Sequence, residues 1–474
     1  MKSITQTNFG AATMVITQVP LLLSLVLLGN LTGTVIADDW PHWMGPTNDG
    51  AWNETGILEK FPESGPDVLW RHEIGAGYAG PSIADGKVFL MGRISDKGKG
   101  IKVENGIKKS GEIAGGERIE CLDLKTGKPI WSHFYDCPYN IAYPTGPRCT
   151  PTIDGEYVYM LGAMGHLKCL TVAKGEVVWE KLLTKEYEAK PPLWGYASHP
   201  IIDGENLIVP VGGIGSGIVA FNKKTGKEIW RSVTTTDIGY APLVIYNPKD
   251  TDGKSSGERQ MIFWHATGIT AVNPADGQEF WHTKFPEEVN PSVVTIATPI
   301  LIGNRLLISE FYKGAIMLEL GSNPPSVKEV WRDNKKGERL KDAMNSMMAT
   351  PIIKDSLAYG VAYNKRGQGI LRCIELATGD MKWADEDWLA EKPQLFANGF
   401  ITPNEDKVLI FDDLGELIIG KLSPTGFEEL DRAKLLEPTS VASGRDVVWS
   451  HPAYSDGSIV VRNDKEIIRV NLKK

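Results

Sequence analysis

The sequence predicts an all-β fold, an eight-bladed β-propeller of four-stranded antiparallel blades. Three observations predict it. One motif recurs at a fixed spacing, turn signals cut each period into four short strands, and one closing strand stands at the start of the array with no unit before it.

The motif is clearest in Cys121-Leu-Asp123-Leu-Lys-Thr126-Gly127-Lys-Pro-Ile-Trp131, where a small residue is followed by Gly after six positions and by Trp after four more. The same spacing returns in Cys169/Gly175/Trp179, Ala220/Gly226/Trp230, Ala271/Gly277/Trp281 and Cys373/Gly379/Trp383, and a looser copy ends at Trp331. From Trp131 to Trp383 the Trp-to-Trp steps are 48, 51, 51, 50 and 52 residues. A fixed period near fifty marks an array of supersecondary units.

Each period reads as four strands. In the second, Thr150-Pro-Thr-Ile-Asp-Gly155 starts a strand and ends in a turn, and Tyr157-Val-Tyr-Met-Leu161 follows. A Gly-rich turn then leads into Leu167-Lys-Cys-Leu170, and Lys174-Gly175 turns the chain into Val177-Val-Trp179. Short β-branched and aromatic runs between Asp-Gly, Thr-Gly and Gly-Gly turns are hairpin signals. Inner strands are expected to start near Gly80, Thr150, His199, Ala241, Thr298, Thr350, Gly399 and His451, which makes eight units. The last unit, from Trp449 to Lys474, has no closing Trp strand, whereas Val68-Leu-Trp70 is such a strand without a unit. Val68–Trp70 is therefore expected to complete the eighth blade and close the ring, which removes the free sheet edges. Trp70, Trp131, Trp179, Trp230, Trp281, Trp331 and Trp383 are read as docking residues, burying indole between neighbouring blades while each N–H meets a backbone acceptor.

The rest of the chain is read against that array. Residues 1–37 stand outside it: Lys2 is the only charge before Asp38, and an apolar run from Val19 to Leu28 precedes Val35-Ile-Ala37. This is the pattern of an export signal, the alternative being an uncleaved membrane anchor, and it places the protein in the periplasm or outside the cell. Residues 38–474 are then one propeller domain with an insertion at 93–118 in its first blade, carrying an Asn105-Gly106 hairpin signal. Polar segments Arg332–Asn345 and Asp385–Lys392 are expected on the same face. Hydrophobic content of 42% and charge of 23% are those of a globular protein, and a net charge of -8 disfavours nucleic acid and anionic membrane as partners. Cys121, Cys169 and Cys373 share a repeat position with Ala220 and Ala271, so they read as small packing residues of a tight inner strand. Cys137 and Cys149 lie outside that register, where a disulfide between them and two separate thiols both fit.

With the repeat in hand, a resemblance is plain. Small-x-Asp/Asn-x-x-Thr/Asp-Gly-x-x-x-Trp resembles the tryptophan docking motif of quinoprotein alcohol dehydrogenases and of the wider PQQ-like β-propeller family, which includes BamB-type outer-membrane assembly factors. The likeness covers about residues 40–474, with Asp38-Asp-Trp-Pro-His-Trp43-Met-Gly-Pro resembling the start of exported family members. In the enzymes, the resemblance implies pyrroloquinoline quinone and calcium at the axis, commonly against a disulfide between adjacent cysteines. No two cysteines are adjacent here, and the lipid-bearing Cys of the BamB-type lipoproteins is missing after the apolar run.

Ligands of propellers use the axial mouth, and loops between blades and turns between the two middle strands share that face. The first set supplies Tyr78, Arg148, Trp194, Tyr196, His199, Tyr240, Met347, Met348, Trp449 and His451. The second supplies Arg93, His265, Glu310, Tyr312, Lys365, Arg366, Asp412, Asp413 and Arg462. Aromatic residues with Arg, His and carboxylates suit a ligand or peptide site, or else pave a solvated channel. His199 and His451 precede the same Pro in two repeats, which makes them the sharpest candidate pair for a metal, and Asp412-Asp413 offers oxygen ligands or a plain turn. No catalytic constellation is evident. The expected function is a binding or assembly scaffold with a protein partner or a small-molecule or carbohydrate ligand at the axial face. The alternative is a quinone- and calcium-dependent oxidoreductase.

Overall fold

The computed structural model describes residues 39–94, 113–143, 145–285, 294–333, 344–389 and 394–474. The expected export segment 1–37, the expected Asn105-Gly106 hairpin and most of the polar stretch 332–345 fall outside these, as do residues 390–392 of the 385–392 segment.

The described residues form eight four-stranded antiparallel blades and one additional two-stranded hairpin. Blade 1 runs through Ser82–Ala84, Lys87–Ile94, Gly116–Asp123 and Pro129–Asp136. The inner strands of the next six blades are Thr152–Asp154, Ile201–Asp203, Val244–Tyr246, Ile300–Ile302, Ile352–Lys354 and Gly399–Asn404, each at or just after its expected start. Blade 8 combines Ala453–Ser455, Ser458–Arg462 and Glu466–Asn471 with Val68–Glu73 as its outer strand. Val68 pairs with Val470 and Trp70 with Arg469, so the ring is closed by the strand the sequence singled out.

Middle strands are covered on both faces by neighbouring blades, so they are apolar without alternation. Every residue of Gln260–His265 and of Leu357–Tyr363 is buried. Outer strands do alternate, because one side meets water: in Glu228–Ser232 only Trp230 is fully buried.

The motif now has a physical account. Cys121, Cys169, Ala220, Ala271 and Cys373 lie on the third strand of their blades and pair directly with Trp131, Trp179, Trp230, Trp281 and Trp383. The expected inner-strand location is thus corrected: a small side chain is needed because an indole stands opposite it, at the close approach of a cross-strand pair. The Asp of the motif caps the turn, since Asp123 Oδ1 accepts the backbone N–H and the hydroxyl of Thr126, each at 2.7 Å. Gly127, at φ +67°, meets Trp70 of the preceding blade so closely that an added Cβ would lie 2.6 Å from the indole. Gly175, Gly226, Gly277 and Gly379 meet Trp131, Trp179, Trp230 and Trp331 in the same way. These five tryptophans therefore dock on the glycine turn of the next blade, and the N–H of each donates to a carbonyl there, as Trp70 to Leu124 at 2.8 Å and Trp179 to Lys223 at 2.9 Å; Trp383 keeps the bond, to the Ser423 carbonyl at 3.0 Å, without the glycine contact. Trp281 departs from this. Blade 5 lacks the Thr-Gly turn, and Trp281 donates instead to Gln260 Oε1 at 2.7 Å, while Gln260 passes a bond to the Gly321 carbonyl at 2.7 Å.

The N-terminal stretch 39–57 crosses the axis instead of joining a blade. Trp40 bridges Ile83 of blade 1, the Pro41 carbonyl accepts Ile153 N–H of blade 2, and Trp52 N–H donates to Pro403 of blade 7. Trp40 and Trp52 are buried against Tyr454 of blade 8, with ring centroids 5.4 and 4.9 Å away. Trp43 reaches the axis itself.

Candidate functional site

Each of the eight connections into an inner strand sends at least one bulky apolar side chain to the mouth. Tyr78, Tyr143, Trp194 and Tyr240 come from the connections into blades 1 to 4, and Ile296, Met347, Phe396 and Trp449 from those into blades 5 to 8. Together they wall a cup of about 280 Å³ in which ten of the twenty lining residues are aromatic. Tyr78 lies 5.9 Å from Trp449, and Trp194 lies 5.0 Å from Tyr240, centroid to centroid. The turn between the middle strands of blade 5 adds Phe311 and Tyr312.

Trp43 is the floor. It stacks on His199 at 4.9 Å and 9°, meets His451 edge-on at 4.4 Å, and donates its indole N–H to Thr298 Oγ1 at 2.9 Å. It also borders a second, smaller cavity of about 30 Å³ shared with Trp40, Met44 and Phe400. Trp43, Phe400 and His451 border both chambers. Sequence reading passed over Trp43 because it lies outside the repeat, and it passed over Tyr143, Ile296 and Phe396 because no motif marks them.

His199 and His451 do come together, with centroids 6.4 Å apart and planes at 86°. Thr150 joins them. Its backbone N–H donates to His199 Nδ1 at 3.0 Å, and its hydroxyl meets His451 Nε2. Because His451 Nδ1 faces the Pro452 carbonyl at 3.0 Å, that nitrogen carries the proton and Nε2 accepts from Thr150. The lone pairs a metal would need at Nδ1 of His199 and Nε2 of His451 are therefore already engaged. Among the described residues no group of three or more His, Cys, Asp or Glu is set to hold a metal ion.

Burial holds the His451 value down to about 4 and that of His199 well below the ordinary 6.5, helped there by His451 and His42. Neutral imidazoles of this kind add stability that is complete above about pH 6.5 and is lost as pH falls toward 4, because the unfolded chain takes up the proton first. Melting temperatures measured across that window should fall with pH, and the fall should be shallower in His451→Gln. An unchanged slope in that variant would count against the buried pair as its source.

The other expected site residues divide sharply. Tyr78, Arg148, Trp194, His199, Tyr240, Trp449 and His451 line the cup. Arg93, Tyr196, His265, Glu310, Asp412 and Arg462 do not, and each is buried. Arg462 donates to the carbonyls of Gly75 and Asn463 and to that of Met91, tying blade 8 to blade 1. Arg93 donates to the carbonyls of Ile113 and Tyr139 and lies 3.6 Å over the Tyr139 ring. Tyr196 donates to the Val211 carbonyl, and His265 is held among Thr235, Thr267 and Thr270. Asp412 accepts the N–H groups of Leu414 and Glu416, with its carboxyl pushed up to about 8 by burial. Lys365 is exposed on the turn between the middle strands of blade 6 and does not line the cup.

Cys137 and Cys149 are not bridged. Cys137 Sγ lies 3.6 Å from His166 Nδ1, whereas the Cys149 thiol donates to the Ser198 carbonyl at 3.3 Å, so the two face different partners.

Calcium with a quinone needs carboxylate or amide oxygens at the axis. No Asp, Glu, Asn or Gln is among the described residues lining the cup. Behind the lining, Asp413 accepts from Arg445 at 2.5 Å and from Trp449 Nε1 at 3.4 Å through Oδ2, leaving Oδ1 buried without a partner, and Glu310 accepts the N–H groups of Tyr312 and Lys313. Arg148 donates to the carbonyls of Ala142, Tyr143 and Gly146. The described residues therefore do not fit that group.

Comparisons with known proteins agree on the architecture. A family model described as "Outer membrane protein assembly factor BamB" matches residues 115–386. No curated protein matches the chain significantly. Among solved structures, BamB from Moraxella catarrhalis is similar with TM-score 0.52 and 13% identity, covering 86% of this chain and 98% of that one. Quinohemoprotein alcohol dehydrogenase from Comamonas testosteroni gives TM-score 0.55 and 13% identity over 92% of this chain and 80% of that one. The computationally designed Ika8 protein gives 0.51 and 9% identity over 86% and 100%. At such identities the likeness is one of fold.

Proposed function

From the premise that this chain belongs to the PQQ-like β-propeller family, by a model matching more than half of its length, we propose that it is an exported binding scaffold whose axial cup seats an apolar group of a partner or ligand. The aromatic cup carries this reading. Ten aromatic side chains around about 280 Å³ give a large apolar surface held rigid by the blades, the usual composition of a ligand pocket. The guanidinium and imidazole groups at its wall support binding rather than chemistry, because their hydrogen bonds are committed to the fold: Arg148 to three carbonyls, and His199 and His451 to Thr150. Export is supported by the apolar run from Val19 to Leu28.

The test is reconstitution with pyrroloquinoline quinone and calcium, followed by dye reduction over alcohols and aldoses, next to a glycan array. No turnover is expected. Quinone binding at micromolar concentration accompanied by turnover would overturn the scaffold reading in favour of an oxidoreductase.

A further inference from the structure

One part of the mouth stands outside the blades. The connection from blade 7 to blade 8 carries the additional hairpin, Ser440–Ala442 with Arg445–Val447, and among the described residues no strand pairs with either of its edges. Its two-residue loop has Ser443 at φ +53° and Gly444 at φ +82°, the tight left-handed turn that holds two strands as one body. Ser443 lines the cup. Both legs are fixed at the base. The Glu437 carbonyl accepts from Asn463 Nδ2 at 3.0 Å, the Thr439 hydroxyl accepts Asp464 N–H at 2.9 Å, and Ser440 donates to the Asp464 carboxylate. On the other leg Val448 N–H donates to the Asp413 carbonyl at 2.8 Å.

Beyond that base, one side chain bonds the hairpin to the ring among the described residues. Arg445 donates to the Leu395 carbonyl at 3.1 Å and to Asp413 Oδ2 at 2.5 Å, and the same oxygen accepts from Trp449 Nε1 of the cup wall at 3.4 Å. Ala442 and Val447 are buried, yet neither belongs to the hydrophobic clusters that fill blades 7 and 8. The polar contact is itself incomplete. Asp413 Oδ1, Arg445 Nη1, Asn398 Nδ2 and the Tyr363 hydroxyl are all buried without a hydrogen-bond partner. Asn398 N–H donates to Asp413 at 3.0 Å, and Tyr363 lies in the field of both Asp413 and Arg445, so the four atoms gather around one ion pair.

We propose that the hairpin 440–447 is a gate on the cup, latched shut in this structure by Arg445 on Asp413 and swinging open about Glu437–Thr439 and Val448. Closure keeps an ion pair and two buried apolar side chains, but it denies water to four polar atoms that find no partner in its place, and each such atom weighs against the closed state. Opening hydrates all four and leaves the hairpin's own ladder intact. Opposed terms of this kind give a segment two populated positions while the blades stay folded. Because Asp413 also holds the Trp449 indole, latch and cup wall meet at one carboxylate, and release of Arg445 widens the way in between Phe396 and Trp449. The role at the cup rests on the binding reading above; the motion itself does not.

Iodoacetamide labelling of the full chain, read peptide by peptide in a mass spectrometer, tests the motion in Ala442→Cys, with the five buried native cysteines as the internal standard. The introduced thiol should react about tenfold faster than the native ones, and adding Arg445→Gln should raise its rate by about tenfold more while leaving the native thiols unchanged, the shift of a local opening equilibrium that has lost its latch. A rate no faster than that of the native thiols, or one indifferent to Arg445→Gln, overturns the gate. Should Arg445→Gln expose the native thiols as well, Arg445→Lys, which keeps a cation beside Asp413, is read in its place with the same two outcomes. Stopped-flow mixing with anilinonaphthalene sulfonate then reads the cup. The dye should bind less tightly in Trp194→Ala, and its association should quicken in Arg445→Gln, because a gate acts on the rate of entry. Association as slow as in the parent overturns the gating of the cup. A dye that does not bind, or that ignores Trp194→Ala, sinks the binding reading and leaves the motion to the thiol rates.

Discussion

Trp230→Ala should lower the stability of the ring by about 3–5 kcal/mol, the range for removing a buried Trp. The indole is 7% exposed, donates to the Pro274 carbonyl at 3.2 Å, and lies over Gly277 of the next blade, so truncation opens a void between two blades and orphans an acceptor. Gly277→Ala attacks the same contact from the other side. Its Cβ would lie 2.5 Å from the indole, at φ +76°, where an L side chain is strained by about 1–2 kcal/mol. Chemical unfolding should show each single variant destabilised and the double variant less destabilised than their sum, because the clash vanishes with the indole. Additive effects would mean that the two residues do not share a contact.

Trp43→Ala should cost stability and also change the ligand behaviour of the axis. The side chain borders both cavities, of about 280 and 30 Å³, and its loss opens space at their boundary while removing the stack on His199 and the bond to Thr298. The cost should be about 2–4 kcal/mol, below that of a fully enclosed Trp because part of the ring already borders open space. Free indole should restore part of it, since an apolar void of matching shape binds the group it lost. Melting temperature with and without indole reads this directly. A variant as stable as the parent, or one indifferent to indole, would show that the N-terminal crossing does not seal the channel.

Much of this architecture was legible in the residues alone. The Gly-Trp spacing works as a signal because each blade repeats one local problem: a reversing turn, a small residue opposite an indole, and the next blade's glycine to receive it. Val68–Trp70 was recognisable as the missing strand for the same reason. The repeat also hid something, because Trp281 fits the spacing while its bond runs through Gln260, a substitution forced by a blade 5 turn without Thr-Gly.

At the mouth the residues spoke less clearly. Loop position placed Tyr78, Trp194, Tyr240 and Trp449 on the right face, and they do line the cup. The same logic placed Arg93 and Arg462 there, yet both turn inward to satisfy carbonyls where neighbouring blades meet. A buried guanidinium must find acceptors, and whether a connection offers them depends on how adjacent blades fold against each other.

The sequence by itself determined the number of blades, their order, the strand that closes the ring and the tryptophans that dock it, because these follow from local pairing repeated at a fixed period. Only the tertiary structure decided that Trp43 floors the cup, that Thr150 joins His199 to His451, and which aromatic side chains converge. Those contacts bring together residues from six or more blades and from a segment outside the array, and no periodicity along the chain encodes a meeting at the axis.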